Sequence, residues 1–316
     1  MSDTPLRVGF LTICPSPYIQ DLFSAIHADG RIQPRVFYQE WLSPAFSWEV
    51  TEQPEYATVL ESRIIRFMGA RLFWNSSAVR TISSHEYDLF VVAGYASITS
   101  QLVIRWLNRS GIPWVFWGEV PGFQNRGWLG RFLRERAMAP VIKRTHGVAA
   151  VGHRALEAYQ NLMPGRPVAS IPYYSDVSAF SDSIRERDPE DTTVELLFCG
   201  QIVPRKGVHE LTAAVLKLLP EHDIRLRFLG DGESQNELQE MIPEDFRDRF
   251  LFEGFRQTDE LPRFFRNADV FVLPSRHDGW GVVINQALAA ELPIVSTEAV
   301  GAALDLVEDG VNGRLV

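Results

Sequence analysis

Cysteine is scarce: Cys14 and Cys199 are the only two in 316 residues. They lie far apart in strand-like runs, so no CxxC pair is available for zinc or dithiol redox work, and the usage suits a reducing compartment. Both read as small buried hydrophobes. Long apolar runs are also missing, none approaching the roughly 18 residues of a membrane-spanning helix. The polar start, Met1 to Arg7, has no charged region followed by an apolar one, so no secretion signal is expected. Positive charge is not in excess either. The 31 basic and 40 acidic residues give a net charge of −9, a poor starting point for wrapping nucleic acid, where the phosphate backbone dominates affinity. No complete GxGxxG occurs, which counts against a nicotinamide dehydrogenase. Apolar material, in contrast, is ample: 46% hydrophobic against 22% charged, which excludes a disordered chain. At roughly 150 residues per domain, the length implies about two domains.

Short apolar runs alternate with amphipathic stretches. In the first half, strands are expected at Val8–Ile13, Arg35–Tyr38, Asp88–Val92, Trp114–Trp117, Gly147–Val151 and Val168–Ile171. Helices are expected at Tyr18–His27, Thr99–Asn108, Leu129–Arg144 and Arg154–Leu162. The pattern restarts with strands Val194–Cys199, Arg225–Leu229, Arg249–Phe252, Asp269–Leu273, Pro293–Ser296 and Gly313–Val316. Helices Val208–Leu219, Ser234–Met241, Asp259–Asn267 and Gly281–Ala290 lie between them. Strands separated by helical stretches argue for α/β units around parallel sheets. This gives two Rossmann-like domains, 1–174 and 194–316, joined by a linker at 175–193 that is rich in Ser, Asp, Glu and Arg. Gln39–Arg71, with Trp41 and Trp48, has weak periodicity and reads as a surface excursion.

The second half carries the chemistry. Its first strand ends in Cys199-Gly200-Gln201, followed by Ile202-Val203-Pro204-Arg205-Lys206-Gly207 and a helix. A glycine-containing loop with two cations at the carboxyl end of a strand is where such a sheet binds phosphate. Arg205 can grip phosphate oxygens bidentately, and Lys206 acts as a point charge. A merely structural cation is misplaced there, because the helix dipole repels it. The next strand ends in Gly230-Asp231-Gly232, a weak signal that also reads as a tight turn. The run Leu273-Pro274-Ser275-Arg276-His277-Asp278-Gly279-Trp280-Gly281-Val282 ends a buried strand, presents a carboxylate and opens a helix whose N–H groups face the same crevice. Gln286 lies one to two turns into that helix, facing either the ligand or solvent.

Taken in order, G-x-x-x-x-[RK]-K-G, G-D-G, L-P-S, an acid with G-x-G, L-P-I-V and D-G-V-N-G resemble the second domain of retaining glycosyltransferases of family 4, from Glu195 to Val316. The first half agrees in architecture. The resemblance implies the GT-B fold, two Rossmann-like parallel-sheet domains facing a cleft. It implies a nucleotide-diphosphate sugar as donor substrate, a glycan or lipid-linked acceptor, no cofactor and no metal; no DxD-type motif is prominent, and His153 and His277 read as surface or local hydrogen-bonders. In this scheme Arg205 and Lys206 hold the diphosphate, while Asp278 takes the first acid position of a Glu-x7-Glu motif, near the donor sugar. Gly200, Gln201, Gly230, Asp231, Gly254, Gly279, Trp280, Gly281, Val282 and Gln286 form the rest of the donor site, Gln286 facing the ribose. Tyr18 and Glu119 are the acceptor-side candidates.

The departures are informative. Gln286 is neutral where the family carries an acid, so a charge-assisted bond of about 1–2 kcal/mol is lost. Gly200-Gln201 replaces the common Gly-Arg, and Arg205 can restore the cation. The first loop reads Cys14-Pro15-Ser16-Pro17-Tyr18 without the usual glycines, and Trp117-Gly118-Glu119 stands where the family often has a histidine. Gln286 keeps open a non-catalytic sugar-nucleotide binder; a GT-B epimerase is a further alternative. Arg126, Arg131, Arg134, Arg136, Lys143 and Arg144, around Trp128, Leu129, Phe132 and Leu133, form either a solvated helix or a basic amphipathic one that touches an anionic membrane. The expected location is cytoplasmic, at or near the inner membrane face. The resemblance also leads one to expect further helices after Val316.

Overall fold

The computed structural model describes residues 4–41, 48, 52–60, 62–67, 70–121, 127–181 and 192–316. They divide into two units, Met1–Tyr174 and Ser175–Val316. In the first, the order is β1 (Leu6–Thr12), α1 (Pro17–Asp29), β2 (Ile32–Tyr38), β3 (Ala57–Val59), β4 (Arg63–Phe67), β5 (Ala70–Trp74) and α2 (Ala78–Ser83). It continues with β6 (Leu89–Ala93), α3 (Ile98–Ser110), β7 (Trp114–Gly118), α4 (Gly127–Arg144), β8 (Gly147–Ala150), α5 (His153–Leu162) and β9 (Val168–Ser170). The second unit runs α6 (Ser178–Ser181), β10 (Val194–Cys199), α7 (Val208–Leu218), β11 (Ile224–Leu229), α8 (Gln235–Met241), β12 (Phe250–Phe252) and α9 (Leu261–Arg266). It closes with β13 (Val270–Leu273), α10 (Val283–Ala289), β14 (Ile294–Ser296), α11 (Gly301–Leu306) and β15 (Gly313–Leu315).

Each unit is built on a parallel sheet. The strand orders are β3-β2-β1-β6-β7-β8-β9 and β12-β11-β10-β13-β14-β15. Both begin at a central first strand, grow outward and then jump back across it, the doubly wound Rossmann pattern. Helices cover both faces, so the central strands read as continuous apolar runs; Leu197, Phe198, Phe271 and Leu273 are buried in the second sheet. In the first unit Leu11, Phe37, Phe90, Val103, Trp114, Phe116 and Tyr159 form one core, each large side chain contributing about 1.5–3 kcal/mol on burial.

Three details differ from the sequence expectation. Part of Gln39–Arg71 is ordered: β3 extends the sheet beside β2, and β4 pairs antiparallel with β5 from Arg63↔Trp74 to Phe67↔Ala70. Within the expected linker, α6 buries Phe180 against Phe265, at 5.1 Å between ring centroids; residues 182–191 lie outside the described residues. The helix expected from Gly281 begins at Val283, because Gly281 has φ +87°.

Helix α4 spans Gly127–Arg144 with Pro140 inside it. Pro140 cannot donate to the carbonyl one turn back. The Gln101 amide of α3 holds this stretch, donating to the carbonyls of Ala137 (2.9 Å) and Tyr95 (2.7 Å). No helix among the described residues is long and apolar enough to cross a membrane. Of the cationic cluster, Arg126 and the side chains of Leu129 and Arg131 lie outside the described residues.

Burial pushes the Cys199 thiol up to about 12. Native protein treated with iodoacetamide near neutral pH is therefore expected to keep Cys199 unmodified, with labelling only after denaturation. Peptide mapping checks this, and rapid native labelling of Cys199 would contradict it.

Candidate functional site

In an open parallel sheet, ligands bind beyond the carboxyl ends of the strands where the order reverses. In the second unit that point lies between β10 and β13. The loop after β10 carries Gly200 to Gly207, with Pro204–Lys206 as a 3-10 turn. The loop after β13 carries Pro274 to Val282.

Lys206 Nζ and Asp278 Oδ2 form an ion pair across this point, their side chains only 11% and 17% exposed. Arg205 Nη1 donates to the His277 carbonyl at 2.6 Å, and the Arg276 amide donates to the Arg205 carbonyl at 2.9 Å. Side chains and backbone thus stitch the two loops together. Asp278 is fixed from behind: its amide donates to Ala299 at 3.1 Å, and its carbonyl accepts from Gly301 at 3.2 Å. A cation at a helix start works against the dipole; the carboxylate offsets this and keeps Lys206 in the crevice.

The glycines serve close approach. An ideal Cβ on Gly230 would sit 2.0 Å from the Gly200 carbonyl oxygen. The Gly230 amide donates to Gly254 at 2.9 Å, and the Ile202 amide to Asp231 at 2.7 Å. The loops after β10, β11 and β12 are therefore in mutual backbone contact, and Gly232 completes a tight turn rather than a fingerprint. Gln201, Asp231 and Arg205 are exposed at this end of the sheet. Trp280 is buried, its Nε1 donating to Asn285 Oδ1 at 3.1 Å. It therefore supports the loop from beneath, and what it offers a ligand is backbone, as do Gly279, Gly281 and Val282.

Gln286 does not face solvent. It is 5% exposed on α10, and its Oε1 has no hydrogen-bond partner. A buried acceptor without a donor costs about 1–3 kcal/mol, so this atom is poised for an O–H or N–H. Sequence reasoning passed over Ser234 and Ser275. Both are buried with hydroxyls lacking a partner, in the loops after β11 and β13.

The first unit brings its two candidates together through a residue the sequence did not single out. Tyr173 donates to Glu119 Oε1 at 3.0 Å, and its ring lies 5.1 Å from that of Tyr18 and 5.4 Å from Trp117. Tyr159 donates to the Glu119 carbonyl at 2.9 Å. Burial, with the Glu119 carboxylate beside it, holds the Tyr173 hydroxyl well above its ordinary pKa, so it stays a donor. Among the described residues no group of three or more His, Cys, Asp or Glu side chains could hold a metal. His153 is 65% exposed and faces Glu157.

Residues 193–316 match the family model for glycosyl transferases group 1. A glycosyltransferase of Methanocaldococcus jannaschii is 32% identical over 135 residues, 42% of this chain and 34% of its own. The lipopolysaccharide core biosynthesis glycosyltransferase LpsE of Rhizobium meliloti is 35% identical over 129 residues, 40% of this chain and 36% of its own. The chain thus spans about a third of the length of these curated relatives. The crystal structure of Anabaena HepE in complex with UDP and glucose superposes with a TM-score of 0.69 at 18% identity, covering 98% of this chain and 85% of that one. The fold is therefore that of the GT-B glycosyltransferases, with two Rossmann-like parallel sheets in tandem.

Proposed function

We propose that the protein is a retaining glycosyltransferase that moves a sugar from a nucleotide-diphosphate donor to a glycan or lipid-linked acceptor in cell-surface polysaccharide or glycolipid synthesis. The observation that carries this is the largely buried Lys206–Asp278 pair at the point where the second sheet reverses its order. The match of residues 193–316 to glycosyl transferases group 1 and the UDP and glucose in HepE support it. Lys206 and Arg205 would take the diphosphate, together with the amides of the Gly281–Val282 turn, and stabilise it as it leaves. Such preorganised charge is usually the largest catalytic contribution. Asp278, released by Lys206, would turn to the donor sugar, and the Gln286 Oε1 would accept from a ribose hydroxyl. Tyr18 and Glu119, braced by Tyr173, would meet the acceptor. Among the described residues no pair of carboxylates suited to double displacement stands out, which favours a front-face reaction. The cationic stretch around 126–144 would bring the enzyme to the inner face of the cytoplasmic membrane.

The neutral Gln286 favours a second reading, a sugar-nucleotide binder without turnover. Thermal melting with UDP- and GDP-sugars, run beside a product assay, decides between them. One donor is expected to stabilise the fold, by about 2.7 kcal/mol at a hundredfold excess over Kd, and so to raise the melting temperature. Its 2′,3′-dideoxy analogue should stabilise less, because Gln286 then receives no hydroxyl. A shift without product supports the binder. No shift with any nucleotide sugar overturns both.

A further inference from the structure

We infer that the first unit binds a small phosphate ester, of sugar-phosphate size, in a cleft at the amino ends of β1 and β2, where Arg35 takes the phosphate. The transferase reading makes no use of this cleft. Tyr18 and Glu119 follow the carboxyl ends of β1 and β7, and β1 with its seven residues is about 20 Å long. A ligand in the cleft therefore sits at the opposite end of the sheet from the acceptor candidates.

The register of the two strands builds the cleft. Arg7 stands opposite Gln33, and Gly9 opposite Arg35, so all four share one face. Further along that face Leu11 and Phe37 are buried in the core. The core ends at Gly9, where an ideal Cβ would run into the rings of Phe90 and Tyr87. These rings floor the cleft, and the segment between α2 and β6 forms its far wall. The cleft holds about 290 Å³, near the lower end of the roughly 300–1,000 Å³ usual for small-molecule sites. The wall is pinned in place. The Tyr87 hydroxyl donates to the Ile82 carbonyl at 2.8 Å, the Asp88 amide to the Arg7 carbonyl at 2.9 Å, and the Arg7 amide to Asp88 Oδ2 at 2.9 Å. A ligand thus meets a site that needs little further ordering.

The charges in the cleft are unequal. Arg7 is held by both nearby acids, its Nη1 donating to Glu86 and its Nε and Nη2 to Asp88 at 3.2 and 2.9 Å. Three of its five N–H groups are used, which leaves two. Arg35 is half-buried, and among the described residues it enters no ion pair and no side-chain hydrogen bond. Burial, with Arg35 beside it, holds the His85 imidazole below its ordinary pKa, so near pH 7 it is neutral and Arg35 is the one uncompensated cation here. A phosphate has three oxygens to share among Arg35, Arg7 and His85, whereas a carboxylate has two. The rest of the lining selects the body of the ligand. Apart from Val8 and Tyr87 the side chains are polar, and Gln33 and Ser84 stand at the sides. The Ser84 hydroxyl donates to the Thr81 carbonyl at 2.8 Å, so its lone pairs accept from a ligand hydroxyl. A hydroxylated ring suits these walls, and an acyl chain does not.

The test is calorimetric titration of the full chain with glucose 6-phosphate, inorganic phosphate, glucose and glucuronate. Glucose 6-phosphate is expected to bind most tightly, inorganic phosphate more weakly, and glucose not measurably. Arg35→Gln should weaken glucose 6-phosphate at least about tenfold, the loss of a charge-assisted bond. Glu86→Gln should tighten it a few-fold, because it removes a negative charge and releases Arg7 Nη1. Lys206→Ala should leave it unchanged, which separates this cleft from the donor loops of the second unit. In the wild-type protein, saturation with glucose 6-phosphate should raise the His85 pKa in an NMR titration, since the phosphate cancels the field of Arg35. That measurement stands even if Arg35→Gln folds poorly. Transfer by Arg35→Gln, assayed without the ester, is expected to match wild type, so a failure here leaves the transferase reading intact. Binding that survives Arg35→Gln but is lost in Lys206→Ala overturns the cleft as the site. Glucuronate bound as tightly as glucose 6-phosphate overturns the choice of phosphate. An unmoved His85, or no binding of either phosphate, overturns the proposal.

Discussion

Lys206→Ala is expected to abolish transfer, by at least about a thousandfold, while the protein still folds. Removing one preorganised donor from a developing anion costs about 10²–10³ in rate, and Lys206 also supplies a full charge in a crevice where it is only 11% exposed. The substitution has a second effect. Asp278, 17% exposed and tied by its backbone to Ala299 and Gly301, loses its cation. Leaving one member of a largely buried pair without its partner destabilises by about 1–3 kcal/mol. Adding Asp278→Asn to Lys206→Ala removes the lone charge, so the double variant should regain stability without regaining transfer. Calorimetry and a product assay separate the two effects. Wild-type turnover in Lys206→Ala would refute the diphosphate role. Asp278→Asn alone is more discriminating. It frees Lys206, so donor binding should hold or tighten, while turnover falls if the carboxylate acts on the sugar. Equal loss of both would make Asp278 only a holder of Lys206.

This distinction explains why the sequence made parts of the site legible and hid others. The central strands of both sheets could be read because they are buried on both faces and therefore apolar throughout, as in Leu196-Leu197-Phe198 and Phe271-Val272-Leu273. The cations and glycines of the second unit follow one another along the chain, so their place at the carboxyl strand ends followed from local pattern. The pairing of Lys206 with Asp278 crosses 72 positions and depends on the strand order, which no local pattern encodes. The same holds for Tyr173, which reaches Glu119 over 54 positions. Periodicity put Gln286 one or two turns into a helix but left its face open; burial against the rest of the unit settled it. Trp280, counted in the donor site between its two glycines, keeps its side chain out of the crevice, because Asn285 takes its N–H and the core takes its ring. The hairpin of β4 and β5 and the short α11 escaped for a simpler reason. The first mixes charged and apolar residues, and the second is only six residues long and opens with Gly301, Ala302 and Ala303, too short and too small-sided to show a period.

Gly207→Ala tests the geometry on which the donor site rests. Gly207 has φ +70°, and an ideal Cβ there would lie 2.1 Å from the Pro274 carbonyl oxygen and 3.0 Å from its carbonyl carbon. A left-handed backbone costs an L-residue about 1–2 kcal/mol, and a methyl group forced against fixed backbone adds about 1–3 kcal/mol. The expected loss is therefore about 2–4 kcal/mol, a fall of roughly 5–15 °C in melting temperature. The clash also drives apart the two loops that carry Lys206 and Asp278, so the donor-induced thermal shift should weaken in the residual folded protein. Gly165→Ala is the control: its φ is +81°, but its Cβ would meet nothing within 4 Å. It should cost only the backbone contribution, about 1–2 kcal/mol, and leave donor binding intact. If Gly207→Ala melts no lower than Gly165→Ala and binds donor normally, the loops do not meet as described, and the assignment of a diphosphate to Lys206 loses its structural basis.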